Sequence, residues 1–336
     1  MAKIFVCGAG TFGTSLAALT ANQGHEVTLW AFKQEEVDQL LQTRVNPLLP
    51  GVRIPDSVEI TNDMALAAGC ELVIIATPSF GVRAACQKLG KILDRETVVA
   101  CVSKGLEDGT LKTMSDIIEE EIPENRCVIV SGPSHAEEIA SGVPTTVVAA
   151  SRSRQAAEYV QNLLTVQNLR VYVNDDILGV ELGGAFKNII ALAAGVADGI
   201  GTGDNAKAAL MTRGITEIAR LGVAMGGKSE TFGGLSGIGD LIVTCTSMHS
   251  RNRRAGILIG QGVPAKEAIA QIGMTVEGYT CTKCAYELAK KMKVEMPIVE
   301  QMYQVLYEGK SPQQALKDLM TRPKRHESEV IWLLTR

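Results

Sequence analysis

Between Gly183 and Gly195, Lys187 is the only charged side chain. At helical spacing its neighbours on one face are Val180, Gly183, Gly184, Ala191 and Ala194, so that face is nearly bare of bulk. A lysine there does nothing for solubility. It reads as a buried amine with room above it for a ligand. Desolvation disfavours the ammonium and lowers its pKa, which suits proton transfer. The plainer alternative is a snorkelling or structurally paired lysine.

Lys104 follows the mostly apolar run Thr97-Val98-Val99-Ala100-Cys101-Val102-Ser103. At a strand exit it would stand on a crevice floor, where a cation suits an anionic substrate. Its alternative is a solvated lysine. Ser131-Gly132-Pro133-Ser134 offers hydroxyls and backbone N–H groups at another strand end, or is a bare turn. Gly237-Ile238-Gly239-Asp240-Leu241 puts one carboxylate in an apolar, glycine-rich stretch. Such an Asp can hold a catalytic lysine; otherwise it caps a helix. Ser250-Arg251-Asn252-Arg253-Arg254 precedes a helical stretch. A hydroxyl, a guanidinium and an amide at a helix start make a phosphate receptor. The bland reading is a solvated basic face.

A second site is written at the start. Lys3-Ile4-Phe5-Val6-Cys7 reads as a strand, Gly8-Ala9-Gly10-Thr11-Phe12-Gly13 follows, and a helical pattern begins at Thr14. This is G-x-G-x-x-G between strand and helix, with a second strand at Glu26-Val27-Thr28-Leu29-Trp30. Gly8 would permit the tight turn, Gly10 the close approach of a pyrophosphate, and Gly13 the helix–strand packing. The helix start favours the phosphate charge. With a dinucleotide site and a buried lysine, the parts imply hydride transfer to or from a carbonyl substrate that bears an anion.

These groups need a frame. Further apolar strands are expected at Glu71-Leu72-Val73-Ile74-Ile75-Ala76-Thr77-Pro78, over 97–104 and 127–133, at Thr145-Thr146-Val147-Val148-Ala149-Ala150, and last at Arg170-Val171-Tyr172-Val173. Strands apolar on both faces fit a parallel sheet covered by helices. Helical stretches over 79–89 and 112–121 give the βαβ rhythm of a doubly wound sheet. In such sheets ligands bind beyond the carboxyl ends of the strands, so 8–13, 77–80, 103–105 and 131–134 should face one crevice. From about Asp175 helical spacing takes over, at 180–198 and 206–225, with Pro264 and Pro312 suited to first helical turns. The chain is therefore α/β plus all-α: a dinucleotide domain over 1–175, a helical catalytic domain over 176–322, and a tail over 323–336 of open role.

Bulk properties narrow the class. The 336 residues suffice for two domains, and the net charge of −4 without a long basic run argues against nucleic acid as a main ligand. No secretory signal and no integral membrane segment is visible, so a cytoplasmic chain with its 8 Cys reduced is expected. Cys281-Thr282-Lys283-Cys284 is a lone CxxC without a second ligand pair, and no metal is expected.

With these residues assembled, the chain resembles the NAD(P)-dependent glycerol-3-phosphate dehydrogenases, the bacterial-type form in particular. The likeness runs from residue 3 to about residue 323, through 8–13, 103–107, 132–136, 183–188, 203–210, 237–240, 244–247, 250–252 and 276–278. It implies reduction of dihydroxyacetone phosphate to sn-glycerol 3-phosphate with NADP or NAD as cofactor, feeding phospholipid synthesis. By resemblance, Lys187 exchanges the proton with the C2 oxygen while the nicotinamide exchanges the hydride with C2. Lys104 and Asp240 organise that centre, with Thr244 nearby. Ser250, Arg251 and Asn252 hold the phosphate, and Gly132 and Ser134 line the substrate site. On the cofactor side it points to Thr11, Phe12, Lys33, Lys104, Ala136, Arg251, Thr275 and Glu277. It implies a Rossmann-type domain, an all-helical domain and, commonly, a homodimer.

The sequence departs from that pattern in places. Members often carry Ser-Trp or Ser-Phe where this chain has Thr11-Phe12, a small change in a loop that binds through backbone. Many carry arginines where it has Ala31-Phe32-Lys33, and no Asp or Glu stands before Glu35 to take a ribose 2′-OH. Lys33 can meet a 2′-phosphate, so both cofactors are expected to work. Two other readings compete. A 3-hydroxyacid dehydrogenase would lack a use for residues 250–252, and a non-catalytic nucleotide sensor would not need Lys187, Lys104 and Asp240.

Overall fold

The computed structural model describes residues 1–324 and residue 327. The apolar run Val330-Ile331-Trp332-Leu333-Leu334, and most of the expected tail with it, lies outside the described residues.

The strands are β1 (Lys3–Cys7), β2 (Glu26–Trp30), β3 (Glu59–Thr61), β4 (Leu72–Ile75), β5 (Val98–Cys101), β6 (Arg126–Ser131), β7 (Thr145–Ala150) and β8 (Leu169–Asn174). They form one sheet in the order β3-β2-β1-β4-β5-β6-β7-β8. Successive side chains go to opposite faces. Ile4 and Val6 join Leu16 and Leu29 in one core, while Phe5 and Cys7 join Val73, Ile75 and Ile118 in the other. Helices α1 (Thr11–Asn22), α2 (Gln34–Thr43), α3 (Val82–Leu89), α4 (Met114–Glu121), α5 (Ala136–Ala140) and α6 (Arg154–Leu164) connect the strands. The order reverses between β1 and β4, so their carboxyl ends open a crevice.

The expectation of a parallel sheet is corrected at one place. β7 runs antiparallel to β6, to which a turn and the five-residue α5 join it. β3 is a further strand that the sequence reading lacks. It is three residues long, too short to carry a period.

The helical part begins where Asp176 Oδ1 accepts from Gly179 N at 2.9 Å and caps α7 (Ile177–Ile200). Then come α8 (Asp204–Ala224), α9 (Ser229–Phe232), a wide helical turn at Leu235–Gly239, α10 (Asp240–Thr246), α11 (Arg251–Gly260), α12 (Ala265–Ile272), α13 (Glu277–Met292), α14 (Pro297–Tyr307) and α15 (Pro312–Met320). Pro312 opens α15 as expected, whereas Pro264 stands one residue before α12. α7 is the axis on which α8, α10, α11 and α13 pack. It is apolar and long enough to cross a membrane, but 94% of that stretch is buried inside the protein, so it is a core helix.

α7 and α11 touch backbone to backbone. A Cβ on Gly195 would lie 2.1 Å from the Arg253 carbonyl oxygen, and one on Gly256 2.1 Å from that of Leu192. Arg253 Nε also donates to Asp198 Oδ2 at 2.8 Å. These contacts fix the start of α11 relative to Lys187. Glu181 of α7 accepts from Ser115 N at 2.7 Å, capping α4 and joining the helical part to the sheet.

Candidate active site

Lys104 lies just beyond β5, its side chain 19% exposed. Its ammonium donates to the Gly132 carbonyl at 2.9 Å, to Asp240 Oδ2 at 2.7 Å and to Ser134 Oγ at 3.4 Å. Ser134 Oγ donates in turn to the Gly132 carbonyl at 2.9 Å. Gly132 has φ 137, a conformation that favours glycine, and it turns its carbonyl toward Lys104. The carboxyl ends of β5 and β6 therefore meet the helical part at Asp240.

The bare face of α7 is what brings Asp240 there. A Cβ on Gly183 would lie 2.8 Å from the Ser236 carbonyl oxygen, and one on Gly184 2.4 Å from Ser131 Oγ. At Gly183 and Gly184 the space is therefore filled by protein, not left open for a ligand as the spacing suggested. The backbone of Leu235–Gly239 packs into it and delivers Asp240 at the start of α10. Asp240 does begin a helix, yet its carboxylate bonds two lysines and not helix amides.

Lys187 Nζ lies 2.5 Å from Asp240 Oδ1 and 2.7 Å from Thr244 Oγ1. The Thr244 hydroxyl donates to the Asp240 carbonyl at 2.6 Å, so it accepts from Lys187. An ammonium has three N–H groups, and two are used here. The third has no hydrogen-bond partner among the described residues. Burial pulls the pKa of Lys187 down to about 8, with Asp240 opposing and Lys104 adding to the fall. Burial alone would raise Asp240, but the two ammonium groups outweigh it and hold the carboxyl below its ordinary value. Two cations on one carboxylate leave the cluster positive, ready for an oxyanion or a phosphate.

The expected phosphate residues divide. Ser250 Oγ caps α11 by accepting from Arg253 N at 3.2 Å. Asn252 is buried: its Nδ2 donates to Asn188 Oδ1 at 2.9 Å and its Oδ1 accepts from Gly278 N at 2.8 Å. Only one of its N–H groups remains, so its first duty is to tie α7, α11 and α13 together. Among the described residues, no hydrogen bond or ion pair engages the Arg251 guanidinium. Burial lowers its pKa, with Glu277 opposing. It is the group best placed to meet an external anion.

The dinucleotide cradle can be tested on its geometry. Gly8 has φ 129, and a Cβ there would lie 2.7 Å from the Ala76 carbonyl carbon. A Cβ on Gly13 would lie 1.9 Å from the Gly8 carbonyl oxygen, while one on Gly10 would meet nothing within 4 Å. Gly8 and Gly13 are thus fixed by close packing, and Gly10 faces open space. No side chain caps α1, so the first-turn N–H groups at Thr11, Phe12 and Gly13 lack intrahelical partners. The loop fits a pyrophosphate. Lys33 is exposed three residues beyond the end of β2, at the start of α2. Ala136 opens α5, and its carbonyl accepts from Ser15 Oγ at 3.1 Å. Thr275 is half-buried ahead of α13. Glu277 accepts from Ser79 Oγ at 2.8 Å and Ser79 N at 3.2 Å, which joins α13 to the turn after β4. Cys281 and Cys284 are buried on α13, and burial pushes both thiols up.

Several crevice residues were not singled out as site residues. Phe32 (70% exposed) and Phe80 (76% exposed) follow β2 and β4, and an exposed aromatic after a buried strand is a usable signal. Asn188 and Ser79 gain their roles only from distant partners. His135 packs against His249, with ring centroids 5.7 Å apart.

Comparison with known proteins agrees with this geometry over nearly the whole chain. The family model for the NAD-dependent glycerol-3-phosphate dehydrogenase N-terminus matches residues 3–157, and that for its C-terminus matches residues 176–317. A glycerol-3-phosphate dehydrogenase [NAD(P)+] of Desulfitobacterium hafniense is 52% identical over 99% of this chain and 95% of its own length. One from Clostridium perfringens is 53% identical over 97% of this chain and 99% of its own. The crystal structure of glycerol-3-phosphate dehydrogenase from Coxiella burnetii, 39% identical, superposes with a TM-score of 0.92 over 96% of this chain and 99% of that one. The chain belongs to the NAD-dependent glycerol-3-phosphate dehydrogenase family.

Proposed function

We propose that this protein is an oxidoreductase that reversibly reduces dihydroxyacetone phosphate to sn-glycerol 3-phosphate with NADPH or NADH, and that Lys187 is its general acid/base. The observation that carries the reading is the Lys187–Asp240–Lys104 cluster, which joins a buried lysine of α7 to the crevice of the sheet. In this reading residues 1–175 hold the dinucleotide and residues 176–322 supply the acid and the phosphate grip.

When bound, the nicotinamide supplies the hydride for C2. The chain does the rest. The free N–H of Lys187 donates its proton to the C2 oxygen in reduction, and the neutral amine takes it back in oxidation. Asp240 and Thr244 hold that ammonium in one orientation. Lys104 keeps the cluster positive, which favours negative charge developing on the C2 oxygen. Arg251 binds the phosphate, with Ser250 and Asn252 setting the backbone from which it reaches. Gly132 and Ser134 line the substrate site through their contacts with Lys104.

On the cofactor side, Gly8, Gly10, Thr11, Phe12 and Gly13 form the pyrophosphate cradle. Lys33 takes a 2′-phosphate, and no carboxylate competes within Ala31-Phe32-Lys33-Gln34. Ala136, Thr275 and Glu277 bound the far wall. The resemblance further supports a cytoplasmic homodimer whose product enters glycerophospholipid synthesis.

The test is absorbance at the reduced-nicotinamide band, with NADPH and NADH in parallel. Dihydroxyacetone phosphate should cause oxidation of both, and unphosphorylated dihydroxyacetone should support it far less well. Protein that binds NADPH yet oxidises none with this substrate would overturn the reading.

A further inference from the structure

Near the end of α7, Asp198 repeats the arrangement of Asp240. Its carboxylate takes two cations on opposite oxygens: Lys207 Nζ lies 2.5 Å from Oδ1, and Arg253 Nη2 lies 2.8 Å from Oδ2. Arg253 Nε donates to the same Oδ2 at 2.8 Å. All three side chains are half-buried. Lys207 stands in the first turn of α8, within the stretch 203–210 that carries part of the family resemblance and has so far no role. The remaining N–H groups of Arg253 lead from this cluster to the site. Nη1 donates to the Thr246 carbonyl at 2.7 Å and to Met248 Sδ at 3.2 Å, and the Arg253 backbone N donates to Ser250 Oγ at 3.2 Å. One residue thus grips the segment 246–250 at both ends. A guanidinium is a rigid planar fork, so pinning Nε and Nη2 on one oxygen decides where Nη1 reaches. The residues 247–250 join α10 to α11. α10 carries Thr244, which bonds the Lys187 ammonium, and α11 opens with Arg251. The shape of those connecting residues therefore helps to set the span from Lys187 to Arg251.

We propose that Asp198 is a positioning residue for the substrate phosphate. With Lys207 on its other oxygen, it aims the Arg253 guanidinium at Thr246 and Met248, and so holds Arg251 at the distance from Lys187 that a three-carbon phosphate spans. The inference rests on the phosphate-substrate reading above. The two aspartates divide the work. Asp240 orients the acid, and Asp198 sets how far from the acid the phosphate is gripped. Asp198 and Lys207 act only through Arg251, so their removal is felt only by a substrate that carries the phosphate.

The experiment is steady-state kinetics of Asp198→Asn and Lys207→Met, each alone and each combined with Arg251→Gln, beside the unmodified enzyme. The substrates are dihydroxyacetone phosphate and dihydroxyacetone, with NADPH. Asp198→Asn keeps the shape of the side chain and removes the charge that both cations share. It should raise KM for dihydroxyacetone phosphate about tenfold, within the range for breaking one member of a coupled network. Its kcat and its KM for NADPH should stay within about twofold, as expected for lost ground-state binding. Lys207→Met leaves the Asp198–Arg253 pair in place and should raise the same KM about threefold, as for a partly exposed ion pair. It decides the matter if Asp198→Asn does not fold. With dihydroxyacetone, kcat/KM should be the same for the unmodified enzyme and both single variants. In the Arg251→Gln background, neither change should lower kcat/KM for dihydroxyacetone phosphate further, because the group they position is gone. The inference is overturned if neither variant raises KM for dihydroxyacetone phosphate, if the loss appears equally with dihydroxyacetone, or if it multiplies with that of Arg251→Gln. If the unmodified enzyme itself fails to turn over dihydroxyacetone phosphate, the functional reading falls and takes this inference with it.

Discussion

Lys104 and Lys187 take opposite oxygens of a single carboxylate, Asp240, at 2.7 and 2.5 Å. One lysine comes from the end of a sheet strand and the other from the axis of the helical part, so the carboxylate joins the two. Asp240→Asn would leave a buried and a half-buried ammonium group facing each other. Stripping one partner from a buried ion pair costs about 3–5 kcal/mol. Asp240→Asn should therefore lower the melting temperature and cut kcat by about 10²–10³-fold, with the acid out of position. Differential scanning calorimetry and turnover measured on the same preparation check both parts.

The pH dependence of turnover follows from Lys187. Its pKa is drawn down to about 8, chiefly by burial. Reduction needs the ammonium, so kcat/KM for dihydroxyacetone phosphate, which reports the free enzyme, should fall as pH rises through about 8. Oxidation of glycerol 3-phosphate needs the neutral amine, so its kcat/KM should rise across the same range. Rate profiles in both directions, under conditions where chemistry limits, should be mirror images. Two profiles moving in the same direction would assign the titration to another group.

Lys33 is exposed at the start of α2, and the proposed function gives it the ribose 2′-phosphate. Lys33→Glu replaces an attraction with a repulsion. It should lower kcat/KM for NADPH about tenfold and leave NADH nearly unchanged, since an exposed charge contact is worth about 1 kcal/mol or less and the reversal adds to it. Competition between the two cofactors in one cuvette reads the ratio directly.

Gly256→Ala tests the contact between α7 and α11. The added methyl would stand 2.1 Å from the Leu192 carbonyl oxygen, which cannot swing away as a side chain would. Overpacking of this kind costs about 1–3 kcal/mol. The melting temperature should drop by several degrees. KM for dihydroxyacetone phosphate should rise as well, because α11 carries Arg251 at its first turn.

Much of this was legible in the sequence, for a physical reason. Lys187, Lys104 and Asp240 each break an apolar pattern, and burying a charge is costly enough that such a break marks a use. The glycine string was legible because its strand and helix bracket it. What the pattern could not carry was tertiary choice. The bare face of α7 looked like ligand space at Gly183 and Gly184, yet close-packed backbone fills it equally well, and it does. Asn252 and Glu277 stand among the ligand residues by resemblance, and the bonds of their amide and carboxylate to Asn188, Gly278 and Ser79 were not legible. Glu277 and Ser79 are 198 positions apart, so nothing local announces the pair. The direction of β7 is set by its tertiary pairing with β6, which a run of Val and Ala does not reveal.

Glu217 offers a stability test away from the chemistry. Its carboxylate caps α14 by accepting from Ile298 N at 3.0 Å, and burial pushes its pKa up to about 7. A raised folded-state value means that its contribution is full below the unfolded carboxyl pKa and is lost as pH rises through about 7. The melting temperature of the unmodified protein, less that of Glu217→Gln, should therefore be larger at about pH 5 than at about pH 8. A constant difference would mean that Glu217 does not titrate in that window.

The measurement closest to the central claim is single-turnover oxidation of bound NADPH by dihydroxyacetone phosphate in Lys187→Ala. NADPH affinity is followed in parallel by the fluorescence of the bound cofactor. The rate should fall by about 10²–10⁴-fold, the usual worth of a positioned acid, while NADPH affinity is kept. A variant that binds NADPH and reduces the substrate within about tenfold of the unmodified rate would show that the proton comes from elsewhere.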